Sequence, residues 1–208
     1  MKTSRLTSWH FALVLAAVVL FLTDRNSPSA SQTQPSAPTW QVYFSPRGGA
    51  TTATVWALHQ AEKSILVQAY SFTSAPIAEA LVRALKKGVE VQVTLDRSQR
   101  TEKYSAADFL ANPGILTTID VAHPIAHNKV MIIDGKIVIT GSFNFTRAAE
   151  ERNTENLLII HDDQLATRYT VNWLFHQAHS ESFSQVPGSN PRSSANALRP
   201  RSRAKQRP

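Results

Sequence analysis

The chain has 208 residues, no cysteine and a formal net charge of +7. Without cysteine, neither a disulfide framework nor a thiolate metal site can form. The positive charge sits at the ends: Arg192, Arg199, Arg201, Arg203, Lys205 and Arg207 follow the last acidic residue, and Lys2, Arg5 and Arg25 against Asp24 add two more, so the region between carries −1. Total charge therefore does not make the central region a basic nucleic-acid binder.

Lys2 and Arg5 precede an apolar run from Trp9 to Leu22, interrupted only by His10. That length suits the hydrophobic stretch of a secretory signal and falls short of the ~20 residues that span a bilayer comfortably. Residues 1–23 are expected to be a signal peptide or a retained N-terminal anchor, a buried helix being the third reading. Small residues follow at 27–31, although Pro28 spoils the best cleavage-like site, which would end at Ala30. Export, to the periplasm or beyond, is the expectation, with membrane association through residues 9–22 if the anchor is kept. Residues 24–39, rich in Ser, Pro, Thr and Gln, read as a linker. Residues 40–185 are then one domain, long enough to bury a core.

Within it, 41–45 reads as a short strand, and Thr51 or Thr54 caps a helix running to Glu62. An apolar strand follows over 65–70. Residues 75–87 have helical spacing at Ile77, Leu81, Val82 and Leu85, with Gly88 as the stop signal. A strand over 89–95 leads to a helix over 104–111, closed by Asn112-Pro113-Gly114, and then to a strand over 115–121. Strands over 130–133 and 137–140 flank Asp134-Gly135, a hairpin signal. A last strand over 157–160 precedes an amphipathic helix over 164–179. Strands alternating with helices predict an α/β fold, a mixed sheet sandwiched by helices. Residues 186–208, basic and nearly free of apolar side chains, are expected to be a disordered tail. It is either a solvated end or a contact for a polyanion, whether nucleic acid or an anionic membrane surface.

The hairpin carries the chemistry. His127, Lys129, Asp134, Gly141, Ser142 and Asn144 form the pattern H-x-K-x4-D-x6-G-S-x-N, whose chance occurrence in such a chain is roughly a few in a million. If the strand begins at or just before His127, alternation puts His127 and Lys129 on one face. The return strand then delivers Ser142 and Asn144 near them. A nucleophile, a fixed cation and two neutral hydrogen-bonding groups would surround one tetrahedral anion.

This pattern resembles the HKD signature of the phospholipase D superfamily. Ala69-Tyr-Ser-Phe-Thr-Ser-Ala-Pro-Ile77, Leu95-Asp-Arg-Ser-Gln-Arg-Thr101, Thr140-Gly-Ser-Phe-Asn-Phe-Thr146 and Asn153-Thr-Glu-Asn156 are similar to its small bacterial Nuc-type endonuclease branch. The likeness runs over about residues 40–180 and implies a phospholipase D-like fold. It implies a phosphohistidine mechanism, in which one histidine attacks phosphorus and a second protonates the leaving oxygen. Lys129, Ser142 and Asn144 would hold the non-bridging oxygens where many nucleases use a metal ion; no metal or cofactor is expected. The resemblance also implies a homodimer with both motifs at the interface, since His59, His123, His161, His176 and His179 lack a lysine two residues on. It implies that Glu155 contacts the imidazole nitrogen that does not attack. Asp134 belongs to the catalytic signature, yet its place at a turn points to holding the hairpin.

His123 and His127, four apart, imitate a helical zinc pair, but Pro124 forbids that helix. His176 and His179, on a polar helix end, read as surface residues. The expected activity is nonspecific cleavage of nucleic acid, whether DNA or RNA. A phospholipase acting on lipid phosphodiesters would use the same site, and a noncatalytic nucleic-acid-binding or uptake protein is the reading from another class.

Overall fold

The computed structural model describes residues 39–183; the expected leader, most of the linker and the basic tail lie outside them. The elements are β1 (Thr39–Ser45), α1 (Ala50–His59), β2 (Ser64–Ala69), α2 (Ala75–Lys86), β3 (Glu90–Asp96), a 3-10 turn (Arg97–Arg100), α3 (Ala107–Ala111), β4 (Leu116–Asp120), β5 (Lys129–Ile133), β6 (Ile137–Gly141), α4 (Arg147–Glu151), β7 (Glu155–His161), α5 (Asp163–Ala178) and β8 (Glu181–Ser182). They form one mixed sheet in the order β1-β7-β6-β5-β2-β3-β4-β8. The β2-β3 and β3-β4 pairs are parallel, and the other pairs are antiparallel.

Alternation along the strands divides the core in two. Ile65, Val67, Val93, Leu95, Met131, Ile133 and Ile139 face a layer that includes Leu58 of α1, Ile77 and Leu81 of α2 and Leu110 of α3. Val130, Ile132 and Val138 point the other way, onto Ala166 and Trp173 of α5. Trp173 settles its indole N–H by donating to the carbonyl of Val67 at 2.8 Å, which lets a large polar-tipped ring be buried without an unmet donor. Helices thus cover both faces of the sheet, and β5 is buried at every position.

Register decides where the motif lies. Ala69 pairs with Lys129, Ala69 with Leu95, Asp96 with Asp120 and Gly141 with Leu157. The start of β5, the ends of β2, β3, β4 and β6 and the start of β7 therefore share one end of the sheet. In open α/β sheets the carboxyl ends of parallel strands are where ligands bind, because loops diverge there.

Three local expectations need correcting. α1 is not capped by Thr51 or Thr54: Gly49 takes the cap position at φ 83°, and the Thr54 hydroxyl bonds back to the carbonyl of Ala50. The cap comes from across the chain, where the Glu150 carboxylate accepts from Gly49 N at 3.0 Å and Thr51 N at 2.7 Å. The helix expected over 104–111 is shortened to α3, because Ser105 N closes a turn onto the Glu102 carbonyl at 3.0 Å and Ala106 N donates to the distant Phe72 carbonyl at 2.8 Å. β5 begins at Lys129, so His127 precedes the strand.

The long-range cap yields a testable outcome. Glu150→Ala leaves two helix-start amides without their acceptor and should cost about 1–2 kcal/mol of stability, read as a lower denaturation midpoint at unchanged slope. An unaltered midpoint would remove Glu150 from the account of α1.

Candidate active site

Because His127 lies in a loop, something other than a strand must fix it, and both of its neighbours are tied down. Ala126 N donates to the buried Asp96 carboxylate at 2.7 Å, and the carbonyl of Asn128 accepts from Tyr70 N at 2.8 Å. The exposed His127 ring lies against Tyr70, ring centres 4.6 Å apart. Lys129 reaches the same place from the strand. It is only 6% exposed, its ammonium donates to the carbonyl of His127 at 2.8 Å, and it stands 5.0 Å from the centre of the Tyr70 ring. His127 and Lys129 thus lie together through Tyr70 and the loop, not on one strand face as expected.

Burial sets the character of Lys129. Desolvation lowers its pKa; the charges of Glu155 and Asp96 oppose this, and the net position is below that of an ordinary lysine. A poorly hydrated cation, short of counter-charge, gains more from an arriving phosphate than a solvated one would.

The return strand places the neutral groups. Gly141, at φ 145°, passes so close to Asn156 that a Cβ would run into the Asn156 carbonyl oxygen. Beyond it, Phe143 and Phe145 are each 1% exposed and serve as alternate anchors, turning Ser142 and Asn144 the other way. Phe143 N donates to the Asn156 carbonyl at 3.1 Å, and the Phe145 carbonyl accepts from Thr73 N and Ser74 N. The Ser142 oxygen accepts from Asn156 N at 3.1 Å and Asn156 Nδ2 at 3.4 Å, which leaves its own O–H to donate. Asn144 Oδ1 is buried with no hydrogen-bond partner among the described residues. A half-turn of that amide would present two N–H donors there instead.

Glu155, the first residue of β7, accepts from Asn153 Nδ2 at 3.2 Å. Its expected hydrogen bond to the His127 ring is not made in the chain as described; its influence at the site is the charge it sets against the ammonium of Lys129. Asp134 is separated from the group altogether, at the opposite end of β5. Its carboxylate accepts from Glu62 N at 3.0 Å, Lys63 N at 2.8 Å and Ser64 N at 2.9 Å, clamping the hairpin to the start of β2. Its grouping with His127 and Lys129 is corrected accordingly: Asp134 lies at the hairpin and bonds to the start of β2.

Two supports and one cluster were not recognised from sequence. Asp96 and Tyr70 lie in segments the resemblance quoted, but without assigned roles. His176 and His179 are not surface residues: their side chains are 15% and 28% exposed and, with that of His123, gather around the wholly buried Asp120 carboxylate. The available signal was Asp120 and His123 three apart, and His176 and His179 three apart on one helix face.

Residues 55–174 match the family model described as cardiolipin synthase, PLD-like domain. A Rickettsia typhi protein called phospholipase D is 40% identical over 83% of this chain and 84% of its own length. Among solved structures, a phospholipase D family member, Nuc from Salmonella typhimurium, matches with a TM-score of 0.68 at 39% identity, covering 71% of this chain and 99% of that one. NucT from Helicobacter pylori gives a TM-score of 0.66 over 71% and 100% of the two chains. At 24% identity, that second likeness is one of fold.

The role of Asp134 can be checked by pH. Burial alone would raise its pKa, but the three backbone N–H groups and Lys136 outweigh burial and hold it below 3.8. The stabilisation is thus fully present above pH ~4 and is lost as pH falls through the lower, folded value. Asp134→Asn tolerates the positive φ of 54° but weakens three charge-assisted bonds. It should lose about 1 kcal/mol at neutral pH, with the gap from wild type closing in acid. Turnover per folded molecule should survive. A variant of full stability and no activity would return Asp134 to the chemistry.

Proposed function

The chain belongs to the phospholipase D superfamily, in the Nuc-type branch, and from that premise we propose that it is a metal-independent endonuclease of low sequence specificity. Hydrolysis of phosphodiester bonds is the activity its family membership supports; nucleic acid as substrate is our reading. The observation that carries it is the exposed imidazole of His127 beside the buried ammonium of Lys129. The first can attack phosphorus, and the second can screen the charge that protects a phosphodiester from nucleophiles.

A neutral His127 nitrogen bonds to phosphorus as the bond to the leaving oxygen breaks. Lys129, the Ser142 hydroxyl and the Asn144 amide meet the non-bridging oxygens. The leaving oxygen takes a proton from a second imidazole, which in this reading is the partner's His127 across a two-fold axis. Water then attacks the phosphorus as the P–N bond to His127 breaks, freeing that imidazole, and the second imidazole takes the water's proton. Lys129 supplies the positive charge that a metal ion supplies elsewhere. The choice of nucleic acid is supported by the likeness to Nuc over nearly the whole of that chain. The Rickettsia typhi relative's name favours a second reading, a lipid phosphodiester cleaved at the same site. We further propose export on the strength of the apolar run 9–22. Among the described residues no helix is long and apolar enough to cross a membrane.

The test pairs substrate with chelation. The purified protein should nick plasmid DNA in EDTA and leave phosphatidylcholine and cardiolipin vesicles intact. His127→Ala should cut the rate by several powers of ten with the fold preserved. Hydrolysis of vesicles without nicking would establish the lipid reading. DNA cleavage abolished by EDTA and restored by Mg²⁺ would refute the mechanism.

A further inference from the structure

Asp120 ends β4 with its side chain wholly buried, and three imidazoles converge on its carboxylate. His123 Nδ1 lies 3.1 Å from Asp120 Oδ2, His176 Nδ1 3.1 Å and His179 Nε2 3.7 Å. One atom from each of the four residues lies within 4.8 Å of all the others. The rings pack at centre distances of 4.9, 5.1 and 5.4 Å, and Phe175 covers His176 and His179 edge-on. His179 Nε2 is buried and has no hydrogen-bond partner among the described residues.

We propose that Asp120, His123, His176 and His179 form a four-coordinate binding site for a zinc-class divalent ion, distinct from the phosphate site. Bonds of about 2.0–2.1 Å to imidazole nitrogen and carboxylate oxygen make the edges of a tetrahedron about 3.3 Å long. The three distances from Asp120 Oδ2 bracket that value. Three neutral imidazoles and one carboxylate, without thiolate or water-rich oxygen ligands, select zinc-like ions over Mg²⁺ or Ca²⁺. The carboxylate is already oriented: Oδ1 accepts from Ala122 N at 3.1 Å and His123 N at 3.3 Å, which leaves Oδ2 for the ion. This is the outer support that protein metal sites usually carry. Neutral imidazole is the ligating form, so protons compete with the ion and binding weakens in acid. The ion also gives His179 Nε2 the partner it lacks.

Such an ion would join three separate segments: the end of β4, the loop that runs on to His127, and the last turn of α5. A closed set of four protein ligands is structural in character. The site should therefore stiffen this end of the sheet and take no part in phosphodiester cleavage, whose groups are a separate set of residues.

The experiment uses the metal alone. Co²⁺ added to the purified, EDTA-treated and desalted protein should bind one per chain with the visible absorption of tetrahedral cobalt, and Zn²⁺ should displace it. Zn²⁺ at a hundredfold excess over its dissociation constant should raise the melting temperature by several degrees. His179→Gln removes a ligand that makes no hydrogen bond and should leave the fold intact by circular dichroism while weakening Co²⁺ affinity at least about tenfold. His176→Ala should weaken it likewise, and His127→Ala should leave it unchanged. No saturable binding below millimolar Co²⁺, unaltered affinity in His179→Gln, or loss of the cobalt signal in His127→Ala would overturn the assignment.

Discussion

A lysine that must stay charged while almost fully buried is the constraint to which the rest of the site answers. Lys129 begins the central strand of the sheet, so its stem is surrounded by packed chain and only its ammonium reaches the end where the loops open. Burial works against the charge, and Glu155 and Asp96 return part of what burial takes away. Neither carboxylate is committed to a direct ion pair with it. Asp96 accepts from the amides of Ser98 and Ala126, and Glu155 from Asn153. Lys129 instead donates to the carbonyl of His127. The cation is thus kept in place but left under-neutralised, which is what a site awaiting a phosphate dianion or monoanion requires.

The same device recurs throughout the molecule: a carboxylate accepts from backbone amides of a segment distant in sequence. Asp96 fixes the loop before His127, Asp134 clamps the hairpin to β2 and Glu150 caps α1. Each leaves a buried or half-buried charge satisfied by fixed dipoles rather than by a mobile side-chain cation. Such bonds are strong for their exposure and set loop positions closely. A histidine outside regular structure needs this support, because no strand ladder holds it.

Much of this was legible in the residues. The period-two and period-3.6 patterns found the seven longer strands and the longer helices, and the spacing of His127, Lys129, Ser142 and Asn144 singled out residues that lie at one end of the sheet. What the sequence hid depended on contacts between distant segments. Nothing near Gly49 announces that Glu150 will cap its helix. The helical pattern over 104–111 gives way at its start, where Ala106 N donates to the carbonyl of Phe72, more than thirty residues away. His127 looked like a strand residue because the apolar run after it is continuous, while the bonds that fix it come from Asp96 and Tyr70. The Asp120 cluster escaped for the same reason: its two pairs are more than fifty residues apart, and pairing β3 with β4 and packing α5 across the sheet are what unite them.

Two copies of His127 sharing one phosphorus are the core of the proposed mechanism, and subunit mixing tests this most directly. Wild type and an inactive His127→Ala variant, exchanged to equilibrium in equal amounts, give hybrids that hold a single His127. If nucleophile and acid come from different chains, every hybrid is dead, and total activity should fall to about one quarter of the all-wild-type value at the same chain concentration. Activity of about one half would mean that each chain carries a complete site. It would contradict the paired-histidine mechanism and require a second general acid within the chain.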